Sequence, residues 1–193
     1  GRHALVCGNA DGWIYALDAH TGEKIWGFEL SRGGIQADPV VHGDRVFASH
    51  GEESVDEAKQ GRLVCIDGTG KGEVTKTHEV WRIDELGAGF PSPAYHDGRL
   101  YVVDNSANLQ AVDAAKGEVL WKYSLGTVGK GSPVFADGKL YVTEVNGRLH
   151  ILGPGDAGVK SLDVDELTVP DGRYAEIYGS PAIAYGRIYF TAE

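Results

Sequence analysis

The chain has 193 residues, a formal net charge of −10, 42% hydrophobic residues and 24% charged residues. That acidity, with no Lys/Arg cluster, excludes nucleic acid as a partner on electrostatic grounds. No apolar run nears the roughly 18 residues of a membrane-spanning helix, so direct membrane insertion is not expected.

From the N-terminus, "ALVCG" and then "GWIYALDAHTGEKIW" (12–26) alternate apolar and polar positions, open a turn at Asp18, and end on an apolar pair with Trp26. Period-2 alternation broken by turn residues predicts short antiparallel strands. "QADPVVHGDRVFASH" (36–50) adds a proline, a short apolar stretch and a second strand. "GEESVDEAKQG" (51–61) follows as an acidic loop with Glu52, Glu53, Asp56 and Glu57. "RLVCIDGTGKGEV" (62–74) then runs from an apolar strand into a glycine-rich loop bearing Lys71, in the manner of a phosphate loop. It lacks the G-x-x-x-x-G-K-[ST] spacing and has no helix to follow. Further on, "FPSPAYHDGRLYVVDNSANLQAV" (90–112), "NLQAVDAAKGEVLW" (108–121), "GSPVFADGKLYVTEVNGRLHIL" (131–152) and "GSPAIAYGRIYFTAE" (179–193) return to the same patterns.

These segments are copies of one unit. Prolines 39, 93, 133 and 181 anchor it, and between the anchors lie aligned Asp18, Asp67 and Asp113, aligned Gly22, Gly72 and Gly117, and aligned Trp26, Trp81 and Trp121. In this alignment Lys71 falls beside Thr21 and Lys116, a turn residue from which no nucleotide binding is required. Each unit supplies four short strands, A near the proline, B, C before the Asp, and D ending at the Trp. Tandem four-stranded units of this length predict a β-propeller.

The expected fold is all-β: a β-propeller of four-stranded antiparallel blades, about four of them here. It is expected as a single segment over 1–193, with a partial blade at 1–30, blades at about 36–84, 90–125 and 131–165, and a partial blade at 178–193. That gives 17 strands, with strand B present at both ends. Together with the absence of any methionine, this suggests a segment of a larger, eight-bladed ring. Such a half-ring, made alone, is expected either to self-associate through its bare edges or to be poorly soluble.

The pairing of "DGWIYALDAHTGEKIW" and "ANLQAVDAAKGEVLW" with "GSPVFADGKLYV" resembles the pyrroloquinoline-quinone-type (PQQ) β-propeller repeat. In that family the Gly and Trp of the A-x-D-x-x-x-G-x-x-x-W unit dock one blade on the next. The resemblance carries this to Gly22 with Trp26, Gly117 with Trp121, and Gly72 with Trp81, the last with five extra residues between. The fourth unit, "GRLHILGPGDAGVKSLDV", has neither the Asp-turn-Gly nor the Trp. The family includes quinoprotein dehydrogenases, barrel-assembly-like scaffolds and exported proteins of no assigned chemistry, and the chain is most similar to the non-enzymatic exported members. The resemblance therefore implies a periplasmic or extracellular location.

The chain lacks the vicinal cysteine pair that the enzymes stack on their quinone, since Cys7 and Cys65 stand alone in apolar runs. There they read as small hydrophobes, with a disulfide between them as the alternative. The seven histidines (His3, His20, His42, His50, His78, His96 and His150) are dispersed and read as surface or turn residues. His42 and His96 occupy A–B turns where Ala136 and Tyr185 stand in other units. The three aligned aspartates read as turn formers accepting backbone N–H bonds. No catalytic, cofactor-binding or metal-ligating residue is assigned. The expected role is a non-catalytic scaffold or binding module with a protein or small-ligand partner. The alternatives are a fragment of a PQQ-dependent dehydrogenase and the sensor ectodomain of a larger receptor. The B–C and D–A connections share one face, so 51–61 and 153–179 are the expected binding loops.

Overall fold

The structure is a computed structural model and describes residues 3–56 and 59–193; Gly1, Arg2, Glu57 and Ala58 lie outside the described residues. Among these there are 18 strands and no helix. The strands form four-stranded sheets and one hairpin, the all-β propeller architecture of four-stranded antiparallel blades, about four in number. Contacts divide the chain into two compact units, Gly1–Pro93 and Ala94–Glu193.

In the first unit, β1 (Ala4–Gly8), β2 (Trp13–Asp18) and β3 (Lys24–Glu29) form the first sheet. The second consists of β4 (Val40–His42), β5 (Arg45–Glu53), β6 (Gln60–Asp67) and β8 (Glu79–Asp84). The strand absent from the expected 17 is β7 (Gly72–Glu73), which leaves the second sheet and pairs in parallel with β3 of the first. Val74 donates to the Gly27 carbonyl and is itself buried in the core. The extra residues between Gly72 and Trp81 thus begin with a strap onto the neighbouring sheet, which the sequence alignment did not anticipate. Between the two sheets lies one core, built from Ile14, Trp26 and Phe28 on one side and Val46, Val64 and Ile66 on the other. Alternation along β2, β3, β5 and β6 puts these on one face of each strand.

The second unit repeats the plan. β9 (Ala94–His96), β10 (Arg99–Val103), β11 (Asn108–Asp113) and β12 (Val119–Ser124) form one sheet. β13 (Val134–Ala136), β14 (Lys139–Thr143), β15 (Arg148–Pro154) and β16 (Val159–Glu166) form the next, and β17 (Ala182–Ala184) pairs with β18 (Arg187–Tyr189). Tyr101, Leu109 and Trp121 meet Leu140, Val142 and Leu152 in its core.

Two local devices recur. The A–B loops Asp97-Gly98, Asp137-Gly138 and Tyr185-Gly186 have positive φ at both positions, the geometry of tight two-residue hairpins. Ala184, and not Tyr185, is therefore the partner of Arg187, which corrects the sequence alignment by one residue: Tyr185 sits in the loop at the Asp137 place. The C–D pairing carries a bulge at the same place in all four sheets, after Ala16, Cys65, Ala111 and Ile151. The residue opposite is Trp26, Trp81, Trp121 and Asp163 in turn. The fourth D strand thus forms without its tryptophan, with an aspartate at the docking position.

Candidate functional site

The aspartates of the C–D turns act as turn formers. Asp18 Oδ1 accepts from the backbone N–H of His20 and Thr21 at 3.0 and 3.1 Å, and Asp113 Oδ1 from those of Ala115 and Lys116 at 2.9 Å each. Gly22 and Gly117 close these turns at φ 73°, a conformation that glycine adopts without strain. Two of the three aligned tryptophans then link neighbouring sheets. Trp26 Nε1 donates to Gly68 O at 2.9 Å, and Trp121 Nε1 donates to Gly155 O at 3.1 Å. Gly155 provides this acceptor although its unit lacks the Asp-turn-Gly. The segment beginning at residue 153 is therefore split: 153–154 end β15, and 155–158 is the C–D turn that Trp121 docks on. Only the connection after β16, from residue 167 onward, lies at the end carrying the B–C turns.

That end of the first unit holds a polar network. The expected loop 51–61 is mostly strand: β5 and β6 continue into it, Glu53 pairs with Gln60, and Ser54 N donates to Lys59 O at 2.9 Å. Arg62, nearly fully buried at the start of β6, donates to Asp84 at 2.7 Å and pairs with Asp56 at 2.8 Å. Arg82 also binds Asp56 and holds Glu79 at 2.7 Å. Burial works to raise the Asp56 carboxyl, but hydrogen bonds from Arg62 and Arg82 outweigh it and hold it at about 2. Arg32, after β3, pairs with Glu53 at 3.1 Å, and its N–H donates to the Glu53 carbonyl. Of the acids read from sequence, Asp56 is drawn into this network and Glu53 into the strand, while Glu57 lies outside the described residues.

The equivalent end of the fourth sheet is built differently. Glu144 is fully buried and accepts from Thr127 N at 2.8 Å, while His150 Nε2 lies 3.1 Å from its other oxygen. Asp104, at the same place in the third sheet, instead folds back on Ser106 and Asn108 of its own turn. The extra methylene lets Glu144 reach the connection before β13. Gly126 makes room, since a Cβ there would sit 1.9 Å from Glu144 Oε1.

Two histidines contradict the expectation that all seven are surface or turn residues: His50 is 1% and His150 4% exposed. Sequence reasoning passed over both, along with Arg62 and Glu144. The one available signal was position, because each stands where the strand alternation calls for a core residue.

The aspartates do not converge, and among the described residues no group of three His, Cys, Asp or Glu could hold a metal. Both cysteines are free, and Cys65 is sealed within β6, its thiol pushed up to about 11 by burial. These residues do not fit a quinone site that needs a vicinal pair and clustered acids. A cleft of about 430 Å³ does open between the two sheets of the first unit, over Val6, Trp26, Val41 and Gly68, at the end opposite the polar network.

A four-stranded blade repeated with tryptophan docking defines a β-propeller repeat protein. Residues 10–192 match the PQQ-type repeat family described as "Outer membrane protein assembly factor BamB", and the chain belongs to that family. Among curated relatives, it is 25% identical over 128 residues to tetrathionate hydrolase of Acidithiobacillus ferrooxidans, covering 60% of this chain and 26% of the relative. It is 27% identical over 125 residues to BamB of Yersinia pestis, covering 62% and 30%. Among solved structures, BamB from Moraxella catarrhalis superposes with a TM-score of 0.71 at 14% identity, over 98% of this chain and 52% of that one. The designed protein Ika8 gives 0.74 at 12% identity, over 100% and 53%. The chain thus spans about half of those structures, and its matched segments span under a third of the curated relatives.

Proposed function

We propose that the chain is a non-catalytic scaffold or binding module of an exported protein, and that it meets a protein partner at the end carrying the B–C and D–A connections. The observation that carries this reading is the β5–β6 extension: among the described residues it is the one B–C connection built out as a strand pair, and Arg62, Asp56 and Arg82 brace it. A charged projection braced by ion pairs on a repeat scaffold suits recognition of a partner. The description of the family as an assembly factor supports a protein partner and an extracytoplasmic place of work.

The test uses the full-length protein in its own cells, with a photo-crosslinking amino acid in place of Glu52 or, as a control, Val41. A discrete protein adduct from position 52 and none from 41 is expected. Adduct-free protein from position 52, together with unchanged partner recovery after deletion of 52–60, would sink the assignment. The match to a hydrolase favours one second reading, that the whole protein is an enzyme. Loss of tetrathionate in the presence of purified protein, measured against a heat-inactivated sample, would replace the scaffold reading. Fractionation of cells should place the protein outside the cytoplasm.

A further inference from the structure

His50 lies at the foot of the β5–β6 extension with both ring nitrogens buried and without a hydrogen-bond partner among the described residues. A buried polar group left unpaired is costly, and native proteins keep few of them. His50 is registered opposite Arg62, and Arg62 opposite Asp84. Directly opposed residues leave a sheet on the same face, so imidazole, guanidinium and carboxylate form one row across three strands.

We propose that His50 is an acid-sensing latch. Its neutral ring allows β5 and β6 to close over it, and a proton taken up from solvent opens the ladder from the His50–Arg62 pair toward the tip.

Three features of the geometry drive this. Neither ring nitrogen of the buried imidazole makes a hydrogen bond among the described residues, and the pull of the Glu52 backbone on the charged ring is outweighed by burial. Its neighbour in the row is already a cation, and the two nearby carboxylates, Asp84 and Asp56, are both engaged by that cation at 2.7 and 2.8 Å. Among the described residues the other charged groups around the extension are engaged elsewhere: Glu53 is held by Arg32 at 3.1 Å, and Arg82 shares Asp56. Glu52 sits against Gly33. The ladder also has a weak point in the right place, since its register is bulged between His50 and Glu53. Beyond that bulge the strands are held by the Glu53–Gln60 pairing, the Ser54–Lys59 bond and the Arg32 N–H to Glu53.

Burial first, and then the Arg62 charge, lower the His50 pKa from 6.5 to about 4; the Glu52 backbone, Asp56 and Asp84 act in the other direction and are outweighed. A depressed histidine contributes stability that is complete above its unfolded value and is lost as pH falls from about 6.5 toward 4. For those two values, linkage gives an opening equilibrium about 20-fold larger at pH 5 than at pH 7, and about 100-fold larger at pH 4.

Hydrogen exchange of the full chain at pH 7, 5 and 4, corrected for intrinsic rates, reads this directly. Peptides covering 49–62 should open by those factors, while the equivalent 99–113 segment of the third sheet should not. His50→Leu and His50→Gln should both abolish the difference. An unchanged 49–62 segment, a matching rise in 99–113, or pH dependence that survives both substitutions would overturn the proposal. So would an imidazole titration by nuclear magnetic resonance that places His50 near 6.5.

Discussion

Replacing Trp26 by phenylalanine isolates the hydrogen bond that docks the first sheet on the second. Trp26 is 1% exposed, and its indole N–H reaches the Gly68 carbonyl at 2.9 Å. Phenylalanine preserves most of the apolar contact with the core but removes the donor, leaving a carbonyl short of one partner. The net value of such a bond is about 1 kcal/mol, and an orphaned acceptor adds to it, so Trp26→Phe should cost about 1–2 kcal/mol. Trp26→Ala removes the ring as well and should cost about 3–5 kcal/mol. Urea unfolding should show both losses as midpoint shifts at constant slope. Hydrogen exchange of β3 and of the 67–70 turn then shows that the loss falls between those two sheets. If Trp26→Phe were within about 0.3 kcal/mol of wild type while Trp26→Ala fell in its expected range, the tryptophan would act by packing alone, because loss of a real bond gives at least about 0.5 kcal/mol. The docking account given for Trp121 would then fall with it.

Gly126→Ala should lower Tm by several degrees, since its Cβ would have to displace a buried carboxylate 1.9 Å away; an unshifted Tm would show that Glu144 moves aside freely. Asp56→Asn should destabilise by about 1–2 kcal/mol, because it leaves buried Arg62 only Asp84 as a counter-charge; Asp56 is part-exposed, which keeps the figure below that of a fully buried pair. The depressed Asp56 carboxyl contributes stability above its ordinary value of 3.8 that is lost as pH falls toward 2. Acid unfolding of the Asp56→Asn variant should therefore be flatter across that window. Thiol titration at pH 8 should modify Cys7 first, since a thiol pushed from 9.0 up to about 11 reacts about 100-fold more slowly than an ordinary one from its thiolate fraction alone; equal rates would show that β6 opens readily.

The repeat was legible in the sequence because blade formation is a local matter. Strand alternation, the aspartate that opens each C–D turn and the glycine that closes it are set within a dozen residues, and hydrogen bonds to Asp18 and Asp113 have that short span. The candidate site was much less legible. The charged stretch after His50 reads as a loop because charge there outweighs alternation, yet its backbone continues two strands. Asp56 finds Arg62 and Arg82 only when those strands and β8 come together.

The amino-acid order by itself thus determined the all-β propeller blades, the turn aspartates and the docking tryptophans. Only the tertiary structure decided that residues 72–75 strap one sheet to the next and that Gly155 serves as an acceptor without the usual turn motif. It also decided that Glu144, His150, His50 and Arg62 are buried. The physical reason is the same in each case. A strand's pattern specifies which side of the sheet a residue leaves, but burial and pairing are set by what the neighbouring sheet brings against that side. These partners stand 26 residues apart in Asp56–Arg82 and 42 in Trp26–Gly68, beyond the reach of any local pattern.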